Sequence, residues 1–233
     1  VSTLMFISPA AGKVTLRTDA GDLDFDVEAS PEVRALSVDG LTRVFDVRTS
    51  IPGFIALGAY ADNAAGIRLD CMSVRGNSGV SLGRINADLC RAMARHRDYD
   101  LIVLEFGMNA LSAQQKNYSP YTAAMKAGVE RVRAAYPHAD ILIIGIGDRG
   151  IKSGTEVVSM PTCAAMTKAQ RETARQTGAH FWDARAAMGG ECAAGKWRKR
   201  GLVNADYIHL NHKGGREMAS LLFDALISAA DEN

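Results

Sequence analysis

The chain has 233 residues, 47% of them hydrophobic and 23% charged, with 27 Lys and Arg against 26 Asp and Glu. The resulting net charge of +1 removes the electrostatic case for a dedicated nucleic-acid binder, and no apolar run approaches the roughly 18 residues of a bilayer span. What remains is a soluble globular chain with a real core, either one large domain or a domain carrying an appendage.

The opening Val1-Ser2-Thr3-Leu4-Met5-Phe6 has no initiator Met, basic region or cleavage site and reads as a processed or cut terminus. Over residues 1–66, short β-rich stretches are punctuated by Gly, Pro, Asp and Ser, with no amphipathic helix. They include Lys13-Val14-Thr15-Leu16-Arg17, Leu23-Asp24-Phe25-Asp26-Val27, Arg43-Val44-Phe45-Asp46-Val47 and Phe54-Ile55-Ala56-Leu57. This pattern predicts a β-sandwich-like segment.

Over residues 67–233 strands and helices alternate. A strand is expected over 67–74, then a helix from about Ser81 with Leu82, Ile85, Leu89 and Met93 on one face. The apolar runs at 101–106 and 141–146 suit parallel strands buried on both faces, and a helix is expected between them over 121–136. Pro161 can open the next helix and Gly178 close it, and Phe181-Trp182-Asp183 reads as a short last strand. A closing helix carries Met218, Leu221, Leu222, Ala225, Leu226 and Ala229 on one stripe. The expected fold is α/β, a three-layer parallel sheet. The cysteines Cys71, Cys90, Cys163 and Cys192 show no metal-ligand spacing. They leave two readings open: buried free thiols, or a disulfide between Cys163 and Cys192.

In open α/β sheets the working groups gather beyond the carboxyl ends of the strands. Three segments fall there. Val74-Arg75-Gly76-Asn77-Ser78-Gly79 is a glycine-rich turn that can present backbone N–H groups to a ligand, or serve simply as a strand-to-helix turn. In Phe106-Gly107-Met108-Asn109 the Asn109 amide can donate to an oxygen that becomes negative, although Asn and Gly also favour ordinary turns. In Asp206-Tyr207-Ile208-His209 the carboxylate can fix the imidazole tautomer and leave the other nitrogen to take a proton. The plain alternative is a loop His near a helix start.

In this order the three segments resemble the second, third and fourth sequence blocks of the SGNH (GDSL-like) hydrolases, serine esterases on a flavodoxin-like sheet. The resemblance covers roughly residues 67–230. It implies Gly79 and Asn109 as oxyanion donors, Asp206 and His209 as the acid–base pair, and no metal or organic cofactor. Ala110 stands where many members carry Asp. Ala187-Met188-Gly189-Gly190, Trp197 and Asp206-Tyr207-Ile208-His209-Leu210-Asn211 further resemble the branch related to peptidoglycan O-acetylesterases. In that branch a carbohydrate-binding-like β-sandwich is inserted between the first and second blocks. The resemblance therefore implies that residues 1–66 belong to such an insertion and that residues 67–233 are the hydrolase domain. It also implies an acylated carbohydrate substrate and a secreted or periplasmic location.

The first block is missing: Gly-Asp-Ser occurs nowhere. In the family that strand lies centrally in the sheet, flanked by the strands expected at 67–74 and 101–106. Without it they would stand about 10 Å apart with unpaired edges, and such backbone groups are costly to bury. The strand and its Ser are therefore expected from an N-terminal segment or a second chain. Ser8 and Ser78 are weaker in-chain substitutes. Asp148 and Arg149 could line a substrate pocket, and Trp197 could stack on a sugar or anchor a loop. His96, His138, His180 and His212 read as packing or surface residues.

The expected activity is removal of acetyl or short acyl groups from a carbohydrate. Acyl transfer to a glycan is the alternative, and a non-catalytic carbohydrate-binding protein of the same fold is the rival. A phosphate-handling protein using the 76–79 turn would leave Asp206 and His209 without a role.

Overall fold

The computed structural model describes residues 1–40, 42–63 and 65–231. It divides into two compact units, Val1–Ser73 with Asn86–Asp98, and Val74–Ile85 with Tyr99–Asn233. The division thus differs from a single cut at residue 66.

The first unit holds two three-stranded antiparallel sheets. One has the order β4-β1-β6, from β1 (Ser2–Ser8), β4 (Ser30–Val38) and β6 (Ile55–Ala61). The other has the order β3-β2-β5, from β2 (Gly12–Thr18), β3 (Gly21–Val27) and β5 (Asp46–Thr49). Along β2, Val14, Leu16 and Thr18 are buried while Lys13 and Arg17 are exposed, the period-2 alternation of a sheet wetted on one face. Leu4, Phe6, Val14, Leu16, Val27 and Ile51 form one core. Strand β4 escaped the sequence reading because Pro31-Glu32 interrupts its apolar pattern. It is an edge strand, where Pro is tolerated.

The helix expected from Ser81 is two pieces. A 3-10 turn, Val80–Arg84, ends at Ile85 in extended conformation. Asn86 then caps α1 (Ala87–Ala94), its side chain accepting the Leu89 N–H at 3.1 Å. A residue that caps so well starts a new helix rather than continuing an old one.

No strand forms over 67–74. Ile67 is 100% and Leu69 91% exposed, Met72 and Val74 are mostly exposed, and no described strand pairs with them. Extended chain without a paired edge hydrogen-bonds to water instead. The approach to this segment is tied by buried Arg97, which is bidentate to Asp70 at 2.6 and 2.8 Å, bonds Asp62, and stacks on the Tyr60 ring at 4.5 Å.

The second unit carries a parallel sheet in the order β11-β8-β7, from β7 (Leu101–Glu105), β8 (Asp140–Ile144) and β11 (His180–Trp182). On one face Leu104, Ile141 and Ile143 pack against Val129 and Val132 of α2 (Ser119–Ala135) and Ala174 of α3 (Cys163–Thr177). On the other, Leu142, Ile144 and Trp182 meet Ala184 of α4 (Ala184–Ala187) with Met218 and Leu222 of α6 (His212–Asp231). The three layers are those expected from the alternation. Gly178, at φ 64°, closes α3 as predicted. A hairpin, β9 (Gly150–Ser153) and β10 (Glu156–Ser159), and α5 (Ala193–Lys199) complete the unit.

Among the described residues β7 pairs with β8 alone, so its other edge is open. Leu101 and Val103 are 40% and 44% exposed, as are Phe223, Leu226 and Ile227 of α6 in similar or greater degree. Cys163 and Cys192 are not bonded to each other: Cys163 is a buried thiol, its pKa raised by burial, and Cys192 is part-exposed.

Candidate active site

The loop carrying Asp206 and His209 is closed by its own backbone. Val203 bridges Leu210, the Asn204 N–H donates to the His209 oxygen at 2.8 Å, and the Tyr207 N–H donates to the Asn204 oxygen at 3.1 Å. Tyr207 takes a left-handed conformation, φ 59°, and its carbonyl accepts the Gly150 N–H at 2.9 Å. Inside this turn Asp206 Oδ1 accepts the backbone N–H groups of Ile208 and His209 at 2.9 and 3.1 Å, and Oδ2 accepts from His209 Nδ1 at 2.7 Å. The network places the ring proton on Nδ1. Nε2 then has a free lone pair, and it has no hydrogen-bond partner among the described residues.

The His209 ring, and after it the Ile208 amide, hold the Asp206 carboxyl down to about 2, below its ordinary 3.8. A depressed carboxylate contributes stability above its unfolded pKa, and that contribution is lost as pH falls through the folded one. The pair is exposed, so the contribution is small and screened by salt. Urea unfolding from about pH 6 to about pH 2 is expected to show a steeper loss for the wild type than for Asp206→Asn, mostly below about pH 4. Equal slopes would show that the carboxylate is not engaged.

The two residues expected as oxyanion donors, Gly79 and Asn109, sit on two glycine turns. Gly79 has φ 95°, and a Cβ there would lie 2.7 Å from Met125 Sδ and 2.8 Å from Phe106 Cβ. Gly107 has φ 105° and leads into a 3-10 turn, Met108–Ala110, that presents Asn109. Both donors meet at Asn77, which the sequence reading did not single out. The Gly79 N–H donates to Asn77 Oδ1 at 2.8 Å, and Asn109 Nδ2 donates to the Asn77 backbone oxygen at 3.1 Å. The only sequence signal was an Asn two residues before a glycine, the spacing of an Asx-turn.

Tyr121 donates its hydroxyl to the Ser78 oxygen at 3.3 Å, and burial pushes that hydroxyl far above its usual pKa, so it stays a donor. Buried Gln170 donates to the Phe106 oxygen at 2.8 Å and accepts the Ile146 N–H at 2.9 Å. The segment after β8 therefore braces the Phe106 turn at Ile146 and, through Gly150, the Tyr207 turn. The structure joins Gly79 to Asn109 and Asp206 to His209, and hangs both pairs on this segment.

Two other expectations are corrected. The Asp148 side chain is wholly buried. Its Oδ1 accepts from Ser159 Oγ at 2.6 Å and Arg185 Nε at 3.2 Å, and its Oδ2 accepts from the Ala194 N–H at 3.0 Å. Wholly buried among these three donors, the carboxylate is not presented to a ligand. Trp197 is 3% exposed and its indole donates to the Met188 oxygen at 2.8 Å, so it anchors its loop and offers no face to a sugar. Arg149 is different: it is part-exposed, forms no ion pair among the described residues, and its buried Nε has no hydrogen-bond partner. Ser8 is buried in β1 with its hydroxyl on the Ala10 oxygen at 2.8 Å, which removes it as a nucleophile.

Residues 55–216 match the sequence profile of the GDSL-like lipase/acylhydrolase family, which is more than half of the chain. The chain belongs to that family. Its fold resembles that of a solved structure titled "Peptidoglycan O-acetylesterase in action, 5 min", with a TM-score of 0.78 and 24% identity. That likeness covers 100% of this chain but 65% of the other. The chain is also similar to a carbohydrate esterase family 3 protein from Talaromyces cellulolyticus, at TM-score 0.45 and 17% identity over 68% of this chain and 70% of that one. A salicylyl-acyltransferase from a tetracycline biosynthetic pathway gives TM-score 0.44 and 14% identity over 98% and 79%. No curated protein sequence matches the chain.

Proposed function

We propose that this GDSL-family chain is the greater part of a serine esterase that removes acetyl or other short acyl groups from a carbohydrate. The observation that carries the reading is the 2.7 Å bond between His209 Nδ1 and Asp206 Oδ2, which leaves Nε2 as a base. In the reaction a serine hydroxyl attacks the ester carbonyl while His209 Nε2 takes its proton. Asp206 steadies the imidazolium, and the tetrahedral oxyanion is held by the Asn109 amide and the Gly79 N–H. Collapse expels the sugar oxygen, which takes the proton from His209. Water then repeats the sequence on the acyl-serine and releases the acid. Donors of this kind each lower the barrier by about 3–4 kcal/mol.

The nucleophile is proposed to come from outside residues 1–233, on an N-terminal segment or a second chain, as a strand pairing with β7. The open edge of β7 and the exposure of Leu101 and Val103 support this. Arg149, with its unsatisfied Nε, is the proposed substrate contact. A secreted or periplasmic location accords with a carbohydrate ester as substrate, and no helix among the described residues is long and apolar enough to cross a membrane.

The test is acetate release from an O-acetylated polysaccharide by the complete protein. Release to water is the expected result. Acetyl appearing on an added glycan acceptor would make the protein a transferase, and glycan retention without acetate release would make it a binding module.

A further inference from the structure

Resting on the esterase reading, we infer that Asn77 is a positioning residue that keeps the oxyanion donors occupied until charge develops on the substrate. Gly79 has a single N–H, and it is already donated to Asn77 Oδ1 at 2.8 Å. Asn109 has two amide hydrogens, one of them donated to the Asn77 backbone oxygen at 3.1 Å. Asn77 Nδ2 donates to Ser81 Oγ at 2.8 Å, and the need of the Gly79 N–H for an acceptor fixes which end of the amide carries oxygen. The donor set is thus closed at rest, apart from the second Asn109 hydrogen.

The resident oxygen decides what can open it. An ester carbonyl is neutral, so displacing the neutral amide oxygen of Asn77 from Gly79 exchanges one ordinary hydrogen bond for another. The tetrahedral oxyanion is charged, and charge-assisted hydrogen bonds are about twice as strong. The exchange becomes favourable only as charge forms. Asn77 Oδ1 does not go unpaired, because the Ser81 hydroxyl already donates to it at 3.1 Å. An interaction made at the tetrahedral stage and withheld from bound substrate raises kcat and leaves KM high.

Two variants of the complete protein separate this from a role in loop support. Asn77→Asp keeps an acceptor in place for Gly79 and Ser81 but holds the donor more tightly and sets a negative charge beside the forming oxyanion. Its kcat is expected to fall about 100-fold with KM little changed. Asn77→Ala removes the resident oxygen yet retains the backbone carbonyl that holds Asn109. It is expected to lower KM several-fold, to cost kcat less than about tenfold, and to speed hydrogen exchange at the Gly79 amide. The inference is overturned if Asn77→Ala raises KM and lowers kcat together, or if both variants lose activity alike. An inactive wild type would overturn the esterase reading and this inference with it. An active wild type with the wrong pattern of variants overturns the inference alone.

Discussion

His209→Ala is expected to lower kcat for acyl-ester hydrolysis by at least about 10³-fold, and Asp206→Asn by about 10³ to 10⁴-fold. The two losses have different causes. Without the imidazole nothing takes the serine proton. With an amide at 206 the ring remains held, but its favoured tautomer reverses: the amide NH₂ donates to Nδ1, the proton moves to Nε2, and the base is lost. Both side chains are well exposed, so neither change opens a cavity, and the thermal midpoint is expected to move little. Because the residues act as one unit, the double variant should be little worse than the worse single one. Kinetics on a chromogenic acetyl ester, read beside thermal melts, check this. Activity within tenfold of wild type after His209→Ala would remove the imidazole from the mechanism.

The largest stability effect belongs to Asp148. Asp148→Ala leaves the Arg185 guanidinium without its counter-charge and strips the Ser159 hydroxyl and Ala194 N–H of their acceptor. Breaking one side of a buried pair costs about 3–5 kcal/mol, which for a chain of this length lowers Tm by roughly 10 °C. Asp148→Asn keeps one acceptor oxygen and the shape, so a smaller loss is expected. The carboxylate ties the end of β8 to β10, α4 and α5, and the same stretch of chain braces the Tyr207 turn through Gly150. Loss of activity in Asp148→Ala should therefore follow unfolding and not precede it. Calorimetry on the two variants decides it: a Tm shift under about 2 °C for Asp148→Ala would mean that the network is not a buried one.

These two sites mark what the sequence could and could not disclose. Asp206 and His209 lie three residues apart, so their pairing is local and was legible. Gly178 ends α3 by a backbone preference that no distant contact overrides. In the first unit β2 and β3 announced themselves as short β-rich stretches and β5 and β6 did so in part, while β1, a continuous apolar run without alternation, and β4, interrupted by Pro31-Glu32, did not. Asp148 looked like a pocket residue because its type and place behind β8 suit one. Its partners Ser159 and Ala194 lie 11 and 46 residues away, and nothing in the local pattern reports that they engage both oxygens. For Trp197 the sequence left two uses open, a sugar platform or a loop anchor, and only the fold shows its indole satisfied by the Met188 carbonyl. The apolar 67–74 segment has the composition of a strand, but a strand needs a neighbour as well as a composition. Asn77 went unnoticed because its importance lies in two tertiary hydrogen bonds to turns that converge only in the fold.

The most direct measurement is to treat the complete protein with a serine-directed fluorophosphonate and map the modified residue by mass spectrometry. A single labelled serine outside residues 1–233, its labelling abolished by His209→Ala, is the predicted result. Labelling at Ser78, or none in a protein that still hydrolyses esters, would contradict a borrowed nucleophile served by this imidazole.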